Sequence, residues 1–319
     1  MMRLLALAPL FAASLACAAP VESVVDAAGP LGPLKGTLLA PATPAGPVAL
    51  IIPGSGPTDQ NGNNPLGVRA STYMLLAQEL AARGVATIRI DKRGMFASAA
   101  ATKDANAVTI ADYVTDIRAW TDSARKHTSA KCVWLIGHSE GGLVAMAAAR
   151  EVPSICGLVL VAAAGRPLGT VLRDQLKANP ANAPLLEQAM GAIDALEQGR
   201  RVDTAGMHPA LLGLFAPQVQ GFLASAFSYD PARLLAGYRQ PVLILQGQRD
   251  IQISERDGAL LKQAAPHATL VMLPDVNHVL KAVPSSDRRQ NLATYAEPGI
   301  PLAPGVSKAI ADFIVPTAP

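Results

Sequence analysis

Cysteine is scarce in this chain of 319 residues. There are 3, at Cys17, Cys132 and Cys156, with no CxxC pair and no Cys/His spacing suited to zinc, so no structural metal is expected. Aromatic residues make up 4% and charged residues 16%, with a formal net charge of +3. A balance this weak argues against nucleic acid or an anionic membrane surface as a partner. What fills the chain instead is aliphatic: 50% of residues are hydrophobic, with Ala and Leu the main contributors, a composition of ordinary α/β proteins and not of disordered ones. Internal repeats and low-complexity runs are also missing.

A membrane-spanning run is lacking too. Leu4–Ala16 is apolar, but Pro9 interrupts it and it falls short of the roughly 20 residues that a bilayer requires. It follows a single basic residue, Arg3, and leads into Ala16-Cys17-Ala18, whose small residues at alternate positions suit signal-peptidase cleavage. Residues 1–18 therefore read as a cleaved export signal, which would leave the mature chain periplasmic or secreted and not stably inserted in a membrane. A membrane anchor is the lesser alternative. A lipoprotein attached through Cys17 is another, although Ser14-Leu15-Ala16 lacks the aliphatic residue that a lipobox carries three positions before its cysteine.

Past residue 18, short apolar runs bounded by Gly and Pro predict strands at Val21–Asp26, Leu34–Leu39 and Val48–Ile52. Tyr73, Leu76, Ala77 and Leu80 recur at helical spacing behind Ser71, a candidate N-cap, and stop at Gly84. A strand at Val85–Ile90 follows, then a helix opened by a Thr109/Asp112 capping box that buries Ile110, Tyr113, Val114, Ile117 and Trp120. Val133–Gly137, a helix at Leu143–Arg150 and Gly157–Ala162 continue the alternation, which implies a mostly parallel sheet flanked by helices. From Pro167 to Tyr238 the pattern turns wholly helical. Alternation resumes with Pro241–Gln246, Gly258–Ala265 and Thr269–Pro274 and closes with a helix at Val306–Ile314. The expected organisation is an α/β core in two parts, 19–166 and 239–319, with a helical lid, 167–238, inserted after the sixth strand.

Strand Val133–Ile136 runs into Gly137-His138-Ser139-Glu140-Gly141, a G-x-S-x-G sequence at a strand-to-helix turn. Such a turn is a nucleophile elbow: a strained backbone lifts the serine above the sheet, and small neighbours allow the chain to pass closely. A serine needs a base, and in an open parallel sheet the site lies beyond the carboxyl ends of the strands. Of the 5 histidines, His278 lies at such an end. His267 precedes its strand, His127 closes a helix, His208 falls in the lid, and the turn should aim the ring of His138 away from Ser139, toward packing or a hydrogen bond to the loops. The base needs a carboxylate to set its tautomer. Asp250 follows strand Pro241–Gln246 and preserves the chain order Ser, Asp, His, while Asp275, three residues before His278, is the competitor and better suited to a local turn. Donors for a developing oxyanion are sought in the backbone N–H of Glu140, at a helix N-terminus, and that of Ser55 in the loop Pro53-Gly54-Ser55-Gly56.

Gly54-Ser55-Gly56-Pro57-Thr58-Asp59, Asn61-Gly62-Asn63, Gly137-His138-Ser139-Glu140-Gly141-Gly142, Gly247-Gln248-Arg249-Asp250 and Asn277-His278 together resemble bacterial carboxylesterases of the α/β-hydrolase superfamily. The resemblance is to the serine aminopeptidase-like or dienelactone hydrolase-like branch. It spans roughly Leu34 to Ile314 in architecture, with the specific motifs confined to short patches. It implies an α/β-hydrolase fold, no cofactor, a small-molecule ester substrate, a triad of Ser139, Asp250 and His278, and an oxyanion hole from Ser55 and Glu140. Asp91 and Arg93 in Asp91-Lys92-Arg93-Gly94 resemble the family's D-x-R-G turn, where they hold loops. Asp59, Asn61 and Asn63 suit turn formation and substrate contact equally, and the stretch Leu280–Pro304 has no assigned role.

Three readings compete with an esterase. A thioesterase would share the triad. A peptidase would also share it and would want acidic lid residues for a substrate amine, for which Glu187, Asp194 and Glu197 are candidates. A binding protein on an inactive hydrolase fold would be expected to lack a triad member. Phe215, Leu223 and Phe227 fit the core of the lid better than an acyl pocket. Cys132 and Cys156 open adjacent strands at the edge opposite the chemistry, close enough for a disulfide, with two separate buried thiols as the alternative.

Overall fold

A computed structural model describes residues 19–43, 46–285 and 287–315. The expected export signal, 1–18, lies outside the described residues. Eight strands form one sheet: β1 (Val21–Ala27), β2 (Leu34–Ala40), β3 (Val48–Ile52), β4 (Ala86–Ile90), β5 (Val133–His138), β6 (Ile155–Val161), β7 (Val242–Gly247) and β8 (Thr269–Leu273). Their order is β1-β2-β4-β3-β5-β6-β7-β8. The β1–β2 and β2–β4 pairings are antiparallel and all others are parallel. The eight strand positions agree with the sequence expectation to within about two residues, the usual uncertainty of element ends.

The central strands are buried on both faces, so they carry near-continuous apolar runs. Val48, Leu50 and Ile52 of β3 and Leu135 of β5 point into one core layer, which packs on α2 (Ile110–Thr128) and α3 (Glu140–Ala148). Ala49, Ile51 and Ile136 point into the other, against α1 (Thr72–Ala81) and the closing helix Val306–Ile314. Each large side chain sequestered in this way stabilises the fold by about 1.5–3 kcal/mol relative to exposure.

The Thr109/Asp112 capping box is present, and Ile110, Tyr113, Val114, Ile117 and Trp120 are all buried. Ser71 departs from expectation. It stands at the N-cap position of α1 but with φ 50° and no side-chain cap; its own N–H is taken by Asn63 Oδ1 at 2.9 Å. A left-handed residue aims its hydroxyl away from the first-turn amides, so position alone does not make a cap.

Between β6 and β7 the chain is helical: α4 (Leu168–Lys177), α5 (Leu186–Glu197), α6 (Pro209–Phe215), α7 (Gln220–Phe227) and α8 (Pro231–Leu235). This segment has its own core of Ala189, Ile193, Leu196, Leu211, Phe215 and Phe227, with Leu223 packed against it. α9 (Glu255–Ala264), α10 (Arg288–Ala293) and α11 (Val306–Ile314) complete the chain. No single helix among the described residues is long and apolar enough to cross a membrane. Cys132 and Cys156 are joined by a disulfide, Cα–Cα 5.2 Å, at the amino-terminal edge of β5 and β6.

Candidate active site

Ser139 follows β5 directly, with φ 54° and ψ −122°. A residue with a side chain is rarely held there, and the strain is stored where the chain must reverse from strand to helix within one residue. A Cβ on Gly137 would meet Gly141 O at 2.4 Å, and one on Gly141 would meet Ile52 O at 2.3 Å. The two glycines of the motif are therefore required by close backbone packing. Ser139 N–H is bonded to Val161 O at 3.0 Å, which seats the elbow on β6.

His278 lies in the loop after β8 and Asp250 in the loop after β7, so neighbouring parallel strands bring together two residues far apart in the chain. His278 Nδ1 is 2.8 Å from Asp250 Oδ2, and the two side chains are 6% and 0% exposed. A carboxylate only accepts, so Nδ1 of the neutral ring carries the proton and Nε2 is left free to accept. Asp250 Oδ1 takes the N–H groups of Gln252 (2.7 Å) and Ile253 (2.9 Å), so the carboxylate is held from both sides. Asp275 is exposed and faces Arg249 at 3.7 Å, as a local loop residue does.

The ring beside the nucleophile, His138, packs 4.8 Å from the His278 ring, centroid to centroid. Among the described residues Ser139 Oγ makes no hydrogen bond, and the link from nucleophile to base is not formed in this structure. Such links are commonly long or misaligned until a substrate is in place.

The loop after β3 comes against the elbow: a Cβ on Gly54 would stand 3.3 Å from Ser139 Cβ. Ser55 is exposed, and its N–H and that of Glu140 have no hydrogen-bond acceptor among the described residues. Glu140 opens α3, where the amide has no intrahelical partner and the helix end carries partial positive charge.

The other histidines stand apart from this cluster. His208 Nδ1 accepts from Ala210 N–H at the start of α6, His267 Nε2 meets Gln240 O at 3.2 Å, and His127 is in the last turn of α2. His138 bonds the loops, as the direction of its turn suggests. Its pKa falls to about 3, chiefly through burial and then through the neighbouring His278, so the ring is neutral. His138 Nε2 faces His278 O at 2.8 Å, which only an Nε2–H can satisfy, so Nδ1 accepts from Tyr73 Oη–H at 2.9 Å. Tyr73 Oη accepts in turn from Gly54 N–H at 2.9 Å.

Asp91 and Arg93 hold loops. Asp91 accepts from Gln60 N–H and Ala97 N–H, and Arg93 pairs with Asp112 and Asp116 of α2. Asp59 takes Asn61 N–H and Asn63 N–H, Asn61 accepts from Arg89, and Asn63 holds Ser71. These polar residues shape the loop beside Gly54.

Sequence reasoning missed two features. One is the stretch after His278, where Asn277 Nδ2 bonds Asn291 Oδ1 (3.2 Å) and Thr294 Oγ1 (2.8 Å), while Asn291 Nδ2 donates to Arg249 O at 2.6 Å. The α10 segment thus ties the His278 loop to the Asp250 loop, and no local motif announces it. The other is Lys92, buried at 5% exposure beneath the site although it sits inside a motif already singled out. Among the described residues no group of three His, Cys, Asp or Glu side chains is arranged to hold a metal ion.

The family model described as serine aminopeptidase, S33, matches residues 66–205, a stretch that contains Ser139 but ends before Asp250 and His278. Esterase EstD of Thermotoga maritima is 24% identical over 241 residues, covering 73% of this chain; the chain spans 54% of that relative's length. Among solved structures, Est1E from Butyrivibrio proteoclasticus aligns at TM-score 0.55 and 19% identity, over 92% of this chain and 98% of its own. An α/β serine hydrolase of Xanthomonas campestris, described as lacking a lid, aligns at 0.50 and 18%, over 98% of this chain and 100% of its own. At these identities the likeness concerns the fold.

Proposed function

We propose that this chain, whose fold is that of the α/β-hydrolases, is an exported serine hydrolase that cleaves carboxylic esters through an acyl-enzyme on Ser139. The observation that carries the reading is the His278–Asp250 contact at 2.8 Å, beside a serine held at φ 54° at the mouth of a helix. His278 Nε2 takes the hydroxyl proton as Ser139 Oγ attacks the carbonyl carbon, and Asp250 stabilises the imidazolium that forms. The N–H groups of Ser55 and Glu140 hold the oxyanion. His278 then protonates the leaving alcohol, and water repeats the sequence on the acyl-enzyme to release the acid and free serine.

Among the sharers of this triad, the arrangement of the helical segment favours esters over aminoacyl substrates. Arg173 pairs with Asp194 and with Glu197, the latter at 2.7 Å, so two of the three acids that would capture a substrate's α-amine already share a cationic partner. The helical segment from α4 to α8 serves in this reading as the lid over the acyl site, with Phe215 and Phe227 building its interior and not a pocket wall. Export is supported by the apolar N-terminal run of the sequence and by the Cys132–Cys156 disulfide, a bond that persists in oxidising compartments.

Purified protein assayed on p-nitrophenyl acyl esters, acyl thioesters and aminoacyl anilides tests the reading. Ester turnover that disappears in Ser139→Ala supports it; ester turnover undiminished in that variant, or anilide turnover exceeding it, overturns it.

A further inference from the structure

Lys92 lies just past the end of β4 and is buried with 4% of its side chain exposed, directly under the elbow. Its ammonium donates to Gly54 O at 2.7 Å and stands 3.5 Å from Glu140 Oε1, whose side chain is 5% exposed. It also lies 5.6 Å above the ring of Tyr113. A buried charge is held only where specific partners offset the loss of water, so this lysine must stay against these groups. One partner is the carbonyl of the peptide that carries the Ser55 N–H, and the other is the side chain of Glu140.

The peptide bond between Gly54 and Ser55 is planar and trans, so the C=O of Gly54 and the N–H of Ser55 point in opposite directions. A bond from Lys92, below, to that carbonyl therefore turns the Ser55 N–H upward, toward the rim where Ser139 stands. The N–H on the other side of Gly54 is pinned by Tyr73. Glu140 is held by charge and not by a hydrogen bond: its N–H opens α3 at the site, while its buried Oε1, without a hydrogen-bond partner among the described residues, stands 3.5 Å from the ammonium.

We propose that Lys92 and the Glu140 side chain form a cross-brace that positions the two oxyanion-binding amides relative to each other, so that Lys92 is a positioning residue for the transition state although it touches no substrate. The inference rests on the ester-hydrolase reading of Ser139. It also explains why a lysine and a glutamate occupy positions in their motifs that the triad itself does not require.

The test compares wild type with Lys92→Met, Glu140→Gln and the double variant Lys92→Met/Glu140→Gln, the last removing both charges so that neither is left buried without a partner. Steady-state kinetics on a p-nitrophenyl ester are measured with the inhibition constant of an alkyl boronic acid, which forms a tetrahedral adduct on the serine. In the double variant kcat is expected to fall about 100-fold, with KM within about threefold of wild type and boronate affinity reduced by a factor similar to that in kcat. Wild-type kcat in a folded double variant overturns the proposal, as does a loss of kcat with boronate affinity unchanged. Should Lys92→Met alone fail to fold, the double variant and Glu140→Gln decide. If wild type itself hydrolyses no ester, it is the ester-hydrolase reading that fails, and the two failures are thereby told apart.

Discussion

His138 holds the backbone of His278: its Nε2–H donates to the His278 carbonyl oxygen at 2.8 Å, so the residue before the proposed nucleophile anchors the residue proposed as its base. Through Nδ1 the same ring reaches Tyr73 and, beyond it, Gly54. One neutral imidazole thereby connects the loops after β3, β5 and β8.

That neutrality has a pH consequence. Burial lowers the folded pKa of His138 from 6.5 to about 3, so the unfolded chain takes up a proton that the folded chain refuses. The group's contribution to stability is complete above the unfolded value and is lost as pH falls through 6.5 toward about 3. His138→Gln is expected to show a smaller drop in urea midpoint between neutral pH and about pH 4.5 than wild type does. An equal drop in both would count against the assignment.

Replacing Asp250 by Asn tests the tautomer. The two amides of Gln252 and Ile253 keep an oxygen acceptor, so the side-chain NH₂ is turned toward His278 Nδ1. That forces the proton to Nε2, where it blocks the base. The expected result is a fall in kcat of up to about 10⁴ with little change in KM, measured on a p-nitrophenyl ester.

Asn291 should matter beyond its distance from the chemistry. It is buried, joins Asn277 to Arg249, and so sets the spacing of the loops that carry His278 and Asp250. Asn291→Ala leaves the Arg249 carbonyl without its partner, while Asn277 Nδ2 keeps Thr294 Oγ1 and loses only its second acceptor; the stranded carbonyl costs about 1–3 kcal/mol. A lowered melting temperature is expected together with a reduced kcat. A melting temperature matching wild type would contradict the role given to α10.

The Cys132–Cys156 bridge closes a loop of sequence separation 24, for which chain entropy predicts about 3–4 kcal/mol of stabilisation. It lies at the amino-terminal edge of the sheet, opposite Ser139. Cys132→Ser/Cys156→Ser is therefore expected to lower the urea midpoint while leaving kcat and KM near wild type at 25 °C. Equal stability would show that the bridge contributes nothing to the folded state.

Much of the frame is legible in the sequence. The strands around Leu50 and Leu135 are apolar on both faces because the sheet is covered on both sides, and that leaves a signature in a short window of sequence. Ser139 is legible for a similar reason: the strained turn imposes its demand for small residues on its immediate neighbours. Asp250 and His278 were accessible by position, because each follows a recognisable strand. Ser71 marks the limit of such reading. Its residue type suits a cap, yet a left-handed backbone, held by Asn63, takes its hydroxyl elsewhere.

Which segments alternate, where the chain must bend around Ser139, and which residue types stand at the carboxyl ends of the strands follow from local sequence, because periodicity and turn sterics act between near neighbours. That His138 bonds the His278 backbone, that Asn291 joins two loops, and that Lys92 settles between Gly54 and Glu140 depends on how distant parts of the chain pack together. Those contacts satisfy buried polar groups across long stretches of chain, and a buried donor takes whichever acceptor the packing of the sheet and helices brings within reach.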